Sequence, residues 1–219
     1  MKHFHRELDK IKKMILSLGA LVEQRVHQVK QALEDRDVAV ANEIIHLDHE
    51  IDQMEVDIEE ECLKIIALHQ PVATDLRFLI AVIKINNDLE RIGDQVVNIA
   101  QRIVSIAKVP IAPYRFDYAE MADKAEAMLR MSLDSLVNQD LDDAIKVLHL
   151  DDEVDAIKNE VYDLIKAAIA DGVTKDIGYM INLLLISRHI ERLADHATNI
   201  AEEVIYMIEG EIVRHGRLA

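Results

Sequence analysis

Four pairs of carboxylates in this chain share one spacing. Asp48 and Asp52, Glu90 and Asp94, Asp151 and Asp155, and Glu191 and Asp195 each stand four residues apart. On an α-helix that separation brings two side chains to one face, a turn apart. Like charges so placed repel, by roughly 0.2–0.5 kcal/mol per pair on an isolated helix, and gathering more of them raises the cost. A bound cation removes it. Carboxylate oxygens suit hard ions such as Mg²⁺, Ca²⁺ or Mn²⁺, and carboxylate-rich helical sites also hold iron. The bland reading is a solvated helix face on which Arg91 and Arg192 supply salt bridges. Because the pairs fall at matching places in a repeated sequence, the eight acids are read as ligands to divalent or trivalent metal ions.

Little else in the chain offers chemistry. Glu43 and His46 make up half of the Glu-x-x-His pattern that di-iron bundles require on two helices. The corresponding His149 follows Lys146 where an acid is needed. His49 beside Asp48 and His196 beside Asp195 are possible nitrogen ligands. Adjacent helix positions point about 100° apart, so both read as surface histidines. Cys62 is the single cysteine, which leaves no internal disulfide and no Cys-based zinc cluster. It reads as a small buried hydrophobe. No Gly-rich phosphate loop, no nucleophile elbow and no Ser beside a His/Asp pair occurs. The chain reads as a binding protein and not as an enzyme.

Bulk properties narrow the partners. The 219 residues carry a formal charge of −16, whereas nucleic acid and anionic lipid both demand a dense Lys/Arg surface. A surplus of acid suits cations or basic protein surfaces. The apolar runs Phe78–Ile83 and Met180–Ile186 fall far short of the roughly 20 residues of a membrane helix. Residues 1–13 are charged and lack the apolar stretch of a signal peptide. The expectation is a cytoplasmic protein with no membrane insertion and no nucleic-acid partner.

The elements that position the acids are all helical. Six Gly, three Pro and no Trp accompany apolar residues at steps of three and four almost throughout. Breaks predict six helices, roughly over 5–34, 38–69, 72–106, 115–138, 141–170 and 174–213. Lys108–Tyr114 holds two of the three prolines and reads as a linker. The halves then match. Leu47-Asp48-His49-Glu50-Ile51-Asp52 returns as Leu150-Asp151-Asp152-Glu153-Val154-Asp155, and Leu89–Ala100 returns as Ile190–Ala201. The expected architecture is all-α, a tandem duplication of a three-helix bundle: residues 1–107, a linker at 108–114, and residues 115–219.

Within each half the core seams are legible. Val82, Ile85, Leu89, Ile92, Val96, Ile99 and Ile103 form one stripe, and Leu183, Ile186, Ile190, Leu193, Ala197, Ile200 and Val204 repeat it. The acids stand off these stripes. A hairpin turning at Pro71 places Asp52 level with Glu90 and Asp48 level with Asp94. A second, turning at Gly172-Val173, places Asp155 level with Glu191 and Asp151 level with Asp195. Each hairpin thus presents four carboxylates. Two rivals stay open: a carboxylate-bridged iron-storage or oxidase bundle, which needs its acids buried between helices, and a metal-free helical adaptor.

Asp75-Leu-Arg77, the run Asp88-Leu-Glu-Arg-Ile-Gly-Asp-Gln-Val-Val-Asn-Ile-Ala100 and the run His189-Ile-Glu-Arg-Leu-Ala-Asp-His-Ala-Thr-Asn-Ile-Ala-Glu-Glu-Val-Ile-Tyr206 resemble the PhoU family. Its members are accessory regulators of bacterial phosphate uptake. The likeness spans nearly the whole chain, including the duplication and the tail Glu209–His215. It implies two three-helix bundles, no catalytic activity, and multinuclear iron or zinc clusters held on the bundle surface by the repeated acid motifs. Carried over by position, the ligands are the same eight acids. It implies further that such a protein couples a phosphate ABC transporter, through its ATPase, to a membrane sensor histidine kinase. In that role it negatively regulates phosphate-starvation genes, and some members form homodimers. The second copy departs at Asp176-Ile-Gly178 and Ala194, beside acid pairs that stay intact.

Overall fold

Ile11, Ile15, Leu18, Val22, Val26 and Val29 step along one stripe of the first helix, α1 (Lys2–Asp35), and all are buried. The computed structural model describes residues 2–109, 118–172 and 177–211. Six more helices follow: α2 (Val38–His46), α3 (His49–His69), α4 (Ala73–Ile106), α5 (Tyr118–Asn138), α6 (Leu141–Ala170) and α7 (Ile177–Glu209). Among the described residues there is no strand, and no helix is long and apolar enough to cross a membrane. Most of the linker expected at 108–114, and the helix ends expected at 115, 174 and 213, lie outside the described residues.

Both seam stripes, Val82 to Ile103 on α4 and Leu183 to Val204 on α7, are buried at every position. α4 packs on α1, α2 and α3, and α7 packs on α5 and α6. The most extensive contact joins α4 to α7 across the two halves, and α1 also meets α5. One continuous apolar core therefore runs through both repeats. A small second cluster of Val161, Ile165 and Met180 closes the far end of the α6–α7 hairpin.

The same short turn opens the second helix of each repeat. Arg36 and Gln139 adopt left-handed backbone conformations with φ of 55° and 53°. The following aspartates then cap the helix. Asp37 accepts from the backbone N–H of Ala39 and Val40 at 2.8 and 3.1 Å. Asp140 accepts from Asp142 and Asp143 at 2.9 and 3.2 Å. Replacing either aspartate by alanine should cost about 1 kcal/mol, read as a lower urea midpoint. An unchanged midpoint in both variants would show that these caps contribute nothing in solution.

One break was not expected. The helix predicted over 38–69 is interrupted at Leu47-Asp48, with neither Gly nor Pro to mark it. The Leu47 N–H reaches the carbonyls of both Glu43 and Ile44, at 3.0 and 3.2 Å, so the last turn of α2 tightens. Just beyond it, Arg25, buried on α1, donates to Glu50 in the first turn of α3 at 2.7 Å. A long-range ion pair thus fixes the start of α3, and local propensity carries no trace of it. The break puts Asp48 at the N-terminus of α3, where the helix dipole favours an anion. Its counterpart Asp151 lies inside the unbroken α6.

Candidate functional site

α3 and α4 form the first acidic hairpin, α6 and α7 the second. In the first, the Asp48 carboxyl is raised above its ordinary range by burial, then by the charges of Asp52 and Asp94. Glu90 is raised by burial, then by Asp94, with Asp52 contributing as well. In the second, Asp151 is raised by burial, then by Asp155, with Glu191 also acting. Asp195 is pushed up to about 6 by the protein around it, then by Glu191, Asp151 and Asp155. Its side chain stays exposed, so water screens part of this repulsion. Of the acids expected to be level, Asp48 and Asp94, Asp52 and Glu90, and Asp151 and Asp195 sense one another across their hairpins, while Asp155 and Glu191 are joined through Lys158.

The two clusters are neutralised differently. Arg91 lies 3.5 Å from both Glu90 and Asp94. Oε2 of Glu90 is nevertheless buried without a hydrogen bond. In the second hairpin the cation is not Arg192. Lys158 Nζ reaches Glu191 at 2.9 Å and Asp155 at 3.3 Å. Its counterpart in the first repeat is Glu55, a further acid.

Whether these residues suit a metal follows from the donors. They are all oxygen, charged, and in the first hairpin include a buried carboxylate oxygen of Glu90 that accepts no hydrogen bond and is approached by Arg91 only to 3.5 Å, which fits a hard cation. Yet among the described residues no three His, Cys, Asp or Glu side chains already converge on one point. A cation would draw the carboxylates together, and in the second hairpin it would first displace Lys158. The interior di-iron arrangement is not made. Glu43, His46 and His149 are exposed on α2 and α6. Cys62 is buried, and burial pushes its thiol up to about 12.

Four raised carboxyls give a pH dependence with a definite sign. The folded chain binds protons more readily at these sites than the unfolded chain does. Their net repulsion therefore costs stability at neutral pH and is relieved as pH falls through about 6 for Asp195. His189 runs the other way, since burial, then Arg102, Arg192 and Arg188, lower its pKa. Comparison with a variant cancels that contribution. Metal-free Asp195→Asn should melt about 1–3 °C above metal-free wild type at pH 7.5, with the gap closing at pH 5. A gap that widened toward acid pH would refute the assigned sign.

His196 was expected at the surface and is half-buried instead. It is drawn between helices, Nδ1 donating to Asp88 Oδ1 at 2.8 Å, and Asn199 donates to the same oxygen at 3.1 Å. Along the same seam His189 Nδ1 donates to Gln95 Oε1 at 2.9 Å. Lys84 donates to both carboxylate oxygens of Glu203 at 3.0 Å, and Arg102 to Asn182 at 3.3 Å. Numbers rise on α4 as they fall on α7, so the helices are antiparallel. The repeat already held the signal for these missed contacts. Its offset makes Asp88 the counterpart of His189 and Gln95 that of His196, so the two histidine contacts are one contact seen twice across a pseudo-two-fold axis.

Fold and acids together define a duplicated helical-bundle protein with a paired acidic face on each hairpin. The PhoU domain family model matches the chain twice, over residues 15–103 and 118–204. A phosphate-specific transport system accessory protein PhoU homolog of Aquifex aeolicus is 39% identical over 219 residues, covering 98% of this chain and 96% of the relative. The Pseudomonas aeruginosa homolog is 35% identical over 216 residues, covering 98% and 88%. The crystal structure of PhoU from Pseudomonas aeruginosa superposes with a TM-score of 0.91 at 33% identity, over 95% of this chain and 100% of that one. The phosphate transport system regulatory protein PhoU from Streptococcus pneumoniae superposes with a TM-score of 0.88 at 29% identity, over 97% and 100%. The chain belongs to the PhoU family.

Proposed function

We propose that this chain is a cytoplasmic accessory regulator of phosphate-specific transport. It is a non-enzymatic adaptor that couples a phosphate ABC transporter, through its ATPase, to a membrane sensor histidine kinase. It holds phosphate-starvation genes off while phosphate is plentiful. The observation that carries this reading is the near full-length likeness to PhoU proteins in both sequence and fold, in a chain whose duplicated acid motifs are complete. The relatives are named as accessory or regulatory proteins of phosphate transport.

Metal belongs to the same reading. Asp48, Asp52, Glu90 and Asp94 in the first hairpin, and Asp151, Asp155, Glu191 and Asp195 in the second, would hold iron or zinc. The bound charge would offset their repulsion and stiffen each hairpin face. The test is genetic. Deleting the gene should derepress a phosphate-starvation reporter in phosphate-rich medium, and the wild-type chain should restore repression. Asp94→Ala with Asp195→Ala should restore it only in part. Full repression in the deletion strain would overturn the regulatory reading, and full restoration by the double variant would overturn a role for the acids in signalling.

A further inference from the structure

The duplication supplies an internal comparison. Each repeat has a groove beside its acidic hairpin, about 640 Å³ in the first and about 600 Å³ in the second. The first is lined by Glu55, Glu59, Ile83, Lys84 and Asn87, with Glu202 and Glu203 of α7 across from them. At the counterpart positions the second is lined by Lys158, Tyr162, Leu184, Leu185 and Arg188, with Arg192, Asp195 and Glu191 beside them, Glu191 held by Lys158 at 2.9 Å. Two acids have been replaced by a lysine and a tyrosine, and a lysine and an asparagine by a leucine and an arginine. The hairpin is shared, while a mostly acidic lining gives way to one that mixes Lys158, Arg188 and Arg192 with Glu191 and Asp195.

The second groove is also unpartnered. Tyr162 is 53% exposed, and Ile181, one turn before Leu185 on α7, is 48% exposed. Arg188 and Arg192 stand a turn apart, and neither forms a hydrogen bond or ion pair with a described residue. On a chain of net charge −16, a partly apolar trough edged by two unpaired guanidinium groups, with Lys158 meeting Glu191 and Asp195 as the remaining acid, is a local exception. Such a trough between antiparallel helices accepts a third helix through apolar anchors, with charge at its edges choosing the partner.

We propose that the groove between α6 and α7 docks an acidic amphipathic helix of a partner protein. The apolar edge of that helix seats on Tyr162, Leu184 and Leu185, and its carboxylates meet Arg188 and Arg192. The inference rests on the adaptor reading above, because an adaptor requires a docking face.

The full chain is titrated with two fluorescein-labelled helical peptides of identical leucine spacing, one flanked by glutamate and one by lysine, with anisotropy as the readout. Wild type is compared with Y162E/L185K/R188N, which writes the first repeat's residues into the second. The glutamate peptide should bind wild type at least roughly tenfold more tightly than it binds the variant. The lysine peptide should bind wild type no better than it binds the variant. R188E should shift preference toward the lysine peptide, a gain that misfolding cannot mimic. Equal binding of both peptides by wild type would overturn the proposal. So would self-association of wild type that is lost in the triple variant by sedimentation velocity, which would assign the groove to a second copy. In the reporter strain, derepression by a folded triple variant supports the proposal. Full repression by it, where the deletion derepresses, overturns the groove and leaves the regulatory reading standing. No derepression on deletion overturns that reading instead.

Discussion

Truncating Ile92 or Leu193 to alanine should lower the stability of the whole chain by about 2–5 kcal/mol, and in a single transition. Both side chains are essentially inaccessible, at 0% and 2% exposure. They also lie midway between the two equivalent histidine contacts, Asp88–His196 and Gln95–His189, where α4 and α7 pass each other. A cavity there is walled by rigid helices on both sides, so little of it can collapse. The core is continuous through both repeats, so a defect on α4 is felt by α7. The double variant should therefore be non-additive by about 0.5–3 kcal/mol. Urea unfolding followed by circular dichroism, beside calorimetry, reads both quantities. Two transitions, of which each substitution moved only its own, would show that the repeats fold independently.

The second large effect changes sign with the metal. Protein purified without chelator should carry stoichiometric iron or zinc by elemental mass spectrometry, and an Asp48/Asp94/Asp151/Asp195 alanine variant should carry none. At metal concentrations about a hundredfold above Kd, loading stabilises the wild type by about 2.7 kcal/mol, so chelation should lower its Tm while the variant stays unmoved. Once both are metal-free the order reverses. The wild type then retains carboxyls raised by burial and mutual repulsion, and the variant melts higher. Equal metal content in the two proteins would remove these acids from the site. No metal in either would leave them a bare acidic surface for partners.

The parts of this architecture that were legible in sequence are those governed by periodicity. The seams at Val82–Ile103 and Leu183–Val204 are buried as their spacing demands. The cross-hairpin levels also held, because Pro71 and Gly172 mark the turns and a helix advances by a fixed rise. Interactions between elements far apart in sequence were not legible. The Leu47-Asp48 break accompanies the tie from Arg25 to Glu50. His196 is turned inward by Asp88, more than a hundred residues away. Lys158 supplants Arg192 as the cation of the second cluster because its long stem reaches across the hairpin. Each depends on how two helices rotate about their axes, which periodicity alone leaves free.

The dominance of the α4–α7 contact bears on the order of synthesis. α4 leaves the ribosome with its partners α1, α2 and α3 already made, but the flank that α7 will cover stays bare while α5, α6 and then α7 are translated. At about 5–20 residues per second, that flank spends several seconds in water before its cover arrives. A nascent chain stalled before α7 would display half of its own interface as a sticky apolar stripe. Such intermediates should be the species that chaperones hold and that aggregate when expression is fast.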